Sequence, residues 1–67
     1  MSSNSVMKEA RLRAGLSQQE LAERVGVSRQ TVNAIEKGDY NPTIRLCLAI
    51  CHALGCTLDE LFWEDEA

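Results

Sequence analysis

Apolar residues recur at helical spacing along most of the 67-residue chain, and no alternation of period two lasts four residues between turns. Four glycines interrupt this pattern, and three of them are followed two residues later by a serine or a threonine. Glycine adopts the left-handed conformation that ends a helix, and a hydroxyl side chain caps the first turn of the next one. The pattern therefore predicts an all-α fold of five helices, at Val6–Ala14, Gln18–Val25, Arg29–Lys37, Ile44–Leu54 and Leu58–Trp63.

Residues at the helix boundaries and on the helix faces make these predictions more specific. The spacing of capping boxes is found in Ser17-Gln18-Gln19-Glu20 and Thr57-Leu58-Asp59-Glu60, and Thr43 is placed to cap the fourth helix. Hydrophobic staples fit three helix starts, pairing Leu16 with Leu21, Val27 with Val32, and Cys56 with Leu61. The periodicity predicts apolar faces on the second to fourth helices, formed by Leu21, Ala22 and Val25, by Val32 and Ile35, and by Ile44, Cys47, Leu48, Cys51 and Leu54.

The second and third predicted helices have the lengths and the separation of a DNA-binding helix-turn-helix. Gly26 lies in the turn between them, and Ala22 is small where the two helices would cross. With the apolar face of the third helix in the core, Arg29, Gln30 and Asn33 would face outward. Arginine offers two donors to guanine, and glutamine or asparagine can pair with both groups on the edge of adenine. We therefore expect this helix to read bases in the major groove; the alternative is a solvated helix face without a ligand.

Polar residues near the third helix are candidates for contacts with DNA phosphates. Gln18 begins the second helix, whose free N–H groups favour anions, so we expect its N–H and its side-chain amide to contact a phosphate. Ser28 and Thr31 have short side chains that would let the start of the third helix approach the groove. We expect further phosphate contacts from Thr31 and from a group that follows the third helix, namely Lys37, Tyr40, Asn41, Thr43 and Arg45. Tyr40 and Arg45 are equally compatible with a plain surface role.

In order and spacing, these motifs resemble those of the Cro/CI-type helix-turn-helix regulators, the XRE family. The resemblance covers residues 7–62. The matching stretches include Gly15-Leu16-Ser17-Gln18, Glu20-Leu21-Ala22, Val25-Gly26-Val27-Ser28-Arg29-Gln30-Thr31-Val32, Ile35-Glu36-Lys37-Gly38, Asn41-Pro42-Thr43 and Leu58-Asp59-Glu60-Leu61-Phe62. The resemblance implies five α-helices, binding of a double-stranded DNA operator as a homodimer, and repression or autoregulation of transcription.

The resemblance also implies roles for individual residues. Gln18 would hold a phosphate, and the residues that approach bases would be Ser28, Arg29, Gln30, Asn33 and Ala34. Members of the family often pair an arginine of the first helix with a glutamate of the third, and Arg11 and Glu36 occupy these positions. We therefore expect these two side chains to form a partly buried ion pair that sets how the two helices pack.

The charge of the chain changes the picture when it is divided along the sequence. Seven Lys and Arg against ten Asp and Glu give a net charge of −3, which argues against a polybasic nucleic-acid arm or a cationic membrane peptide. Residues 1–38 nevertheless carry six Lys and Arg and four Glu, for +2, whereas residues 39–67 carry one Arg and six Asp and Glu, for −5. We therefore expect mildly basic DNA-facing helices, an acidic C-terminal part that faces away, and modest affinity for random DNA.

Length and composition predict one folded domain over residues 1–67, with an ordered core at about 6–63. No apolar run approaches the ~18–20 residues of a membrane-spanning helix, and the N-terminus does not resemble a signal peptide, so the expected location is the cytoplasm. The chain has one histidine and no spacing typical of a catalytic triad, of paired carboxylates or of a phosphate-binding glycine loop. We therefore expect no enzymatic activity and no cofactor.

Three cysteines raise the alternative of a zinc or redox site. Cys47 and Cys51 lie four residues apart on the fourth predicted helix, His52 follows, and Cys56 is near. His52 would point about 100° away from Cys51 around the helix, and there is no Cys-x2-Cys motif. Because free cysteine is a common small core residue, we expect these thiols to lie in the core and to bind no metal. A metal or redox sensor remains the alternative.

The C-terminal end admits two interpretations of its aromatic and of its acidic residues. Phe62 and Trp63 either cover the core or contact a second copy of the chain, and we include them as candidates for a dimer contact. The acidic residues form either a solvated surface or a docking site for a basic partner; they are Asp59, Glu60, Glu64, Asp65 and Glu66. An antitoxin that binds a toxin protein and regulates its own gene is the second hypothesis for the chain.

Overall fold

The computed structural model describes residues 5–62, which form five α-helices. These are α1 (Ser5–Arg13), α2 (Gln18–Val25), α3 (Arg29–Lys37), α4 (Ile44–Leu54) and α5 (Leu58–Phe62). The all-α prediction is confirmed, and the bounds of α2, α3 and α4 agree with those predicted. α1 begins and ends one residue earlier than predicted, and Trp63, the predicted end of α5, lies outside the described residues. No helix within residues 5–62 is long and apolar enough to cross a membrane.

Side-chain hydroxyls begin the helices as the sequence predicts. Ser17 Oγ accepts a hydrogen bond from the Glu20 N–H at 3.0 Å, and the Glu20 carboxylate accepts one from the Ser17 N–H at 2.8 Å. Ser28 caps α3 and Thr43 caps α4, each by accepting from the N–H three residues later at 3.1 Å. The second predicted capping box, at the start of α5, has the same pair of hydrogen bonds as the first. Both capping boxes are therefore confirmed.

The turn between α2 and α3 depends on a glycine. Gly26 has φ +80°, in the left-handed region, and its N–H and that of Val27 both donate to the Ala22 carbonyl, at 2.9 and 3.0 Å. These bonds end α2 and redirect the chain, so that α3 follows directly after Ser28. No described atom lies within 4 Å of a β-carbon built on Gly26. Any other residue there would be disfavoured by the backbone conformation and not by crowding.

The hydrophobic core lies where α2 packs against α3 and α4. It is built from fully buried side chains of four helices, which are Met7, Leu21, Val32 and Ile50. Ala22 is also fully buried, at the position where a small side chain was expected. α5 adds the buried Leu61, and α1 packs against α3 and α5. All six residues of the predicted staples belong to this core or pack against it.

The apolar face predicted for α4 is only partly correct. Cys47 and Cys51 are buried as predicted, but Ile44 and Leu48 are 66% and 51% exposed. Ile50 is fully buried in their place. Both sets of residues have helical spacing, so periodicity alone does not distinguish them. The packing of α4 against α2 decides which set is buried, and it leaves two large apolar side chains on the surface.

Candidate nucleic-acid interface

A buried ion pair joins α1 to α3. The Arg11 guanidinium donates from Nε to Glu36 Oε2 at 2.7 Å and from Nη2 to Glu36 Oε1 at 3.3 Å. The two side chains are 7% and 5% exposed. Arg11 Nη1 also donates to the carbonyl oxygen of Leu16 at 2.8 Å, just before α2 begins. The structure therefore brings together the arginine and the glutamate that the sequence singled out, and the same arginine positions α1, α3 and the start of α2.

The first residue of α2 extends this pair to the surface of α3. Gln18 Nε2 donates to Glu36 Oε1 at 3.0 Å and to Asn33 Oδ1 at 3.1 Å. We call the side chains of Arg11, Glu36, Gln18 and Asn33 the polar network. Both hydrogens of the Gln18 amide are used inside the protein, so its side chain has no donor left for a phosphate. A phosphate contact by this residue would therefore fall to its backbone N–H.

The outer face of α3 carries the residues expected to read bases. Arg29 and Gln30 are exposed, and within residues 5–62 neither side chain hydrogen-bonds to another group. Asn33 and Ala34 are half-buried on the same helix. The opposite face of α3 is buried in the core. The structure thus presents two long polar side chains to solvent from the first turn of a helix whose other side is fixed.

The remaining polar side chains of this first turn bond to each other. Ser28 is exposed, and its Oγ accepts from the Thr31 N–H and lies 3.0 Å from Thr31 Oγ1. Thr31 is half-buried. Because both side chains are short and locally bonded, Arg29 and Gln30 are the side chains that extend furthest from the start of α3.

The residues expected to contact phosphates after α3 are all exposed, and they are Lys37, Tyr40, Asn41, Thr43 and Arg45. They lie between the last residue of α3 and the second residue of α4. The Thr43 hydroxyl oxygen accepts the capping bond from Leu46, so it can offer its own hydrogen to a ligand. These five side chains are therefore open to solvent at the end of α3, in the loop that follows it and at the start of α4.

Sequence reasoning missed a basic residue of α1 at this site. Lys8 is exposed and lines a groove together with Gln18, Asn33 and Lys37. It precedes Arg11 by three residues, and residues three apart lie on the same face of a helix. That spacing was the signal that could have placed Lys8 beside the polar network.

A model of the helix-turn-helix family (HTH_3) matches residues 7–61. The chain belongs to the XRE-type helix-turn-helix family. The chain is 53% identical over 60 residues to YgzD, an uncharacterised HTH-type transcriptional regulator of Bacillus subtilis. The match covers 90% of this chain and 91% of YgzD. The chain is 48% identical over 63 residues to an uncharacterised HTH-type transcriptional regulator of Methanothermobacter thermautotrophicus, covering 92% of this chain and 91% of the relative.

Solved structures of regulators share the fold of this XRE-type protein. The restriction-modification controller protein C.AhdI of Aeromonas hydrophila superposes with a TM-score of 0.82 at 34% identity, covering 88% of this chain and 89% of that chain. The clp gene regulator ClgR of Corynebacterium glutamicum has a TM-score of 0.78 at 29% identity, covering 82% of this chain and 58% of that chain. The expected Cro/CI-type five-helix fold is therefore confirmed, and the protein is a DNA-binding transcriptional regulator.

A carboxylate and free N–H groups lie together at the N-terminus of α2. The Ser17 N–H, and secondarily the Ser17 hydroxyl, hold the pKa of Glu20 below its ordinary value, so this carboxylate is charged at neutral pH. The Glu20 carboxylate accepts from the N–H of Ser17, and Ser17 Oγ accepts from the N–H of Glu20. The N–H groups of Gln18 and Gln19 are then the ones left at this helix start for an anion such as a phosphate.

The cysteines of this XRE-type protein lie in and around the core. Cys47 and Cys51 are buried, and burial raises the pKa of both thiols, which keeps them neutral and weakly nucleophilic. Cys56 is partly buried and packs against the core, whereas His52 is exposed. Within residues 5–62, no group of three His, Cys, Asp or Glu side chains is placed to hold a metal ion. The burial of Cys47 and Cys51 agrees with the expected core position, and metal or redox sensing stays the alternative.

The candidate dimer contact at the C-terminal end is described only in part. Phe62 is half-buried and packs against the core, as a residue that covers the core would. Trp63 lies outside the described residues. A dimer contact by these two residues stays a prediction.

The ion pair generates a prediction for stability. Glu36→Ala leaves the buried Arg11 guanidinium without its carboxylate, so we expect the free energy of unfolding to fall by about 3–5 kcal/mol. Urea unfolding followed by circular dichroism measures it. Glu23→Ala is the matched control, because Glu23 is exposed and within residues 5–62 bonds only to Gln19, and we expect a change within about 0.5 kcal/mol. Equal effects of the two substitutions would contradict the structural role of the pair.

Proposed function

We propose that this regulator is a repressor that binds a near-palindromic operator as a homodimer and inserts α3 into the major groove. The observation that carries the proposal is the outer face of α3, where Arg29 and Gln30 project without intramolecular partners in the described residues. The buried opposite face holds the helix rigidly, which is what precise readout requires. A protein that occupies an operator represses by excluding other proteins from that DNA, so repression needs no surface beyond those that bind DNA and join the two copies.

The side chains of α3 match groups on base edges. Arg29 has the paired donors that fit O6 and N7 of guanine, and Gln30 has the donor and acceptor that fit N6 and N7 of adenine. Ala34 offers a methyl group of the kind that packs against the methyl of thymine. Ser28 is small enough to let the helix start lie close to the groove. The proposal therefore assigns base reading to these residues together with Asn33.

Phosphate contacts would flank the reading helix and set its register on the DNA. One set is formed by the free N–H groups at the start of α2, from Gln18 and Gln19. A second set is formed by the exposed residues at the end of α3 and after it, which are Lys37, Tyr40, Asn41, Thr43 and Arg45. Thr31 completes the set from the first turn of α3. On this proposal the protein acts in the cytoplasm, needs no cofactor and has no catalytic residue.

The exposed apolar side chains of α4 support the proposed homodimer. Ile44 and Leu48 lie one turn apart on the same face, 66% and 51% exposed, and large apolar side chains this close together are typical of contact surfaces. Val6 and Leu12 are also exposed, but they are six residues apart and lie on different sides of α1. The longest extent of the molecule is 33 Å, so two adjacent copies can hold their reading helices about 34 Å apart, one turn of DNA.

Selection of bound sequences from random duplex DNA tests the proposal. We expect a near-palindrome with half-site centres about 10–10.5 base pairs apart. If the selection fails to enrich any sequence, the proposed function is contradicted.

Base reading by Gln30 is tested on the selected duplex. There Gln30→Ala should weaken binding by about 1–3 kcal/mol, with little effect on random DNA, because it removes a base contact. Fluorescence anisotropy measures both affinities. Equal losses on the two DNAs would refute base reading by Gln30.

Lys37→Ala provides the complementary measurement. Because Lys37 is expected to contact a phosphate, its loss should weaken binding to selected and random DNA alike, and lower the slope of log affinity against log salt by about one. Titrations at several salt concentrations measure this slope. An effect confined to the selected sequence would instead make Lys37 a base-reading residue.

The dimer contact is tested with a charge on α4. Leu48→Glu should raise the dimer dissociation constant about tenfold or more, because a carboxylate would be buried against apolar groups of the second copy. Sedimentation velocity measures the association. Leu12→Glu is the control, since Leu12 is similarly exposed on α1 and should not change association. A chain that is monomeric both free and on its operator, or a Leu48→Glu variant that dimerises normally, would contradict the proposed face.

A further inference from the structure

In the polar network, each hydrogen bond fixes which group of the next side chain donates and which accepts, from the core to the surface of α3. Its innermost acceptor is the Glu36 carboxylate, which can only accept, and the Arg11 guanidinium beside it can only donate. Glu36 Oε1 receives Nη2 of Arg11 and also the side-chain amide of Gln18. Only the nitrogen of that amide can donate to a carboxylate. The orientation of the Gln18 amide is therefore dictated by the buried ion pair.

The orientation of Gln18 dictates that of Asn33 in turn. The second hydrogen of Gln18 Nε2 points to the Asn33 amide at 3.1 Å, so the group that faces it must be an acceptor, Asn33 Oδ1. The alternative orientation would set two donors against each other and leave a hydrogen bond unmade. Asn33 Nδ2 then lies on the side away from Gln18. Within residues 5–62 it has no hydrogen-bond partner.

We infer that the polar network makes Asn33 a specificity-determining residue, one that offers a fixed donor to DNA and rejects cytosine at the position it faces. The inference rests on the proposed function, because it requires α3 to lie in the major groove. Guanine, adenine and thymine each present an acceptor there, whereas cytosine presents only the N4 amino donor. An asparagine free to rotate would turn its oxygen to cytosine. The hydrogen bond from Gln18 prevents that rotation.

The inference is tested by competition binding on duplexes that carry each of the four bases at every position of the selected half-site. Asn33→Ala first identifies the position at which the preference is lost. There the wild-type protein should bind the cytosine duplex about tenfold or more weakly than the best duplex, the effect expected for a donor set against a donor. Preference for cytosine at that position, or a uniform loss of affinity in Asn33→Ala, would overturn the inference.

Two substitutions distinguish a fixed amide from a free one. Gln18→Met keeps the length of the side chain but has no donor, so Asn33 can rotate and the penalty on cytosine should shrink severalfold. Glu23→Met is the control on the same helix, because Glu23 is exposed and within residues 5–62 its side chain bonds only to Gln19, so it should keep the penalty. Asn33→Asp can accept from Gln18 and presents a second oxygen outward, so it should reverse the preference toward cytosine. An unchanged penalty in Gln18→Met would overturn the inference.

An NMR measurement on the free protein separates this inference from the proposed function. The side-chain amide protons of Gln18 should exchange with water more slowly than those of Gln30, which has no partner in the described residues. Equal exchange would overturn the fixed orientation. If selection enriches no sequence, the proposed function fails, and the inference about Asn33 fails with it. If a sequence is enriched but no position rejects cytosine through Asn33, the inference about Asn33 fails and the proposed function stands.

Discussion

The buried ion pair between Arg11 and Glu36 is the interaction on which the arrangement of this protein depends. It joins α1 to α3, and the third donor of the guanidinium holds the carbonyl that precedes α2. A buried pair of charges is weak evidence for stability, because well-packed apolar residues of similar volume often serve as well. Its distinctive contribution is geometry. The Glu36 carboxylate accepts from Gln18 as well, so one buried acceptor fixes α2 and α3 relative to each other at the surface proposed to meet DNA.

The residues that stabilise this small fold differ from those that orient its helices and surface side chains. The apolar core draws fully buried side chains from four helices and supplies the main driving force for folding. Gly26 and the hydroxyl caps then set where helices end and begin, which determines the turn between α2 and α3. The polar network adds direction, because donors and acceptors can be satisfied in only one arrangement. These parts together give the proposed reading surface a defined arrangement of donors and acceptors.

The features that the sequence predicts correctly are those that depend on residues close together in the chain. Capping residues and glycines gave the bounds of α2, α3 and α4, and helical periodicity placed Arg29 and Gln30 on the outer face. The Arg11–Glu36 pair spans 25 residues and was expected only through the family resemblance. The exposure of Ile44 and Leu48 was not expected, because two sets of apolar positions on α4 have helical spacing. The inward bonds of Gln18 were missed for a related reason: a helix start predicts anion binding, whereas these bonds depend on how α2 and α3 pack.

The central claim, that the ion pair serves orientation of the reading surface more than stability, is tested most directly by DNA selection with the double variant Arg11→Met/Glu36→Met. Apolar replacement of both partners removes the buried charges together, so the free energy of unfolding of the variant should lie within about 1–2 kcal/mol of that of the wild type. Its selected sequence should lose the preference at the position that Asn33 faces, because Gln18 no longer has an acceptor that orients it. A stable double variant that selects the same sequence as the wild type, with every preference intact, would contradict the account.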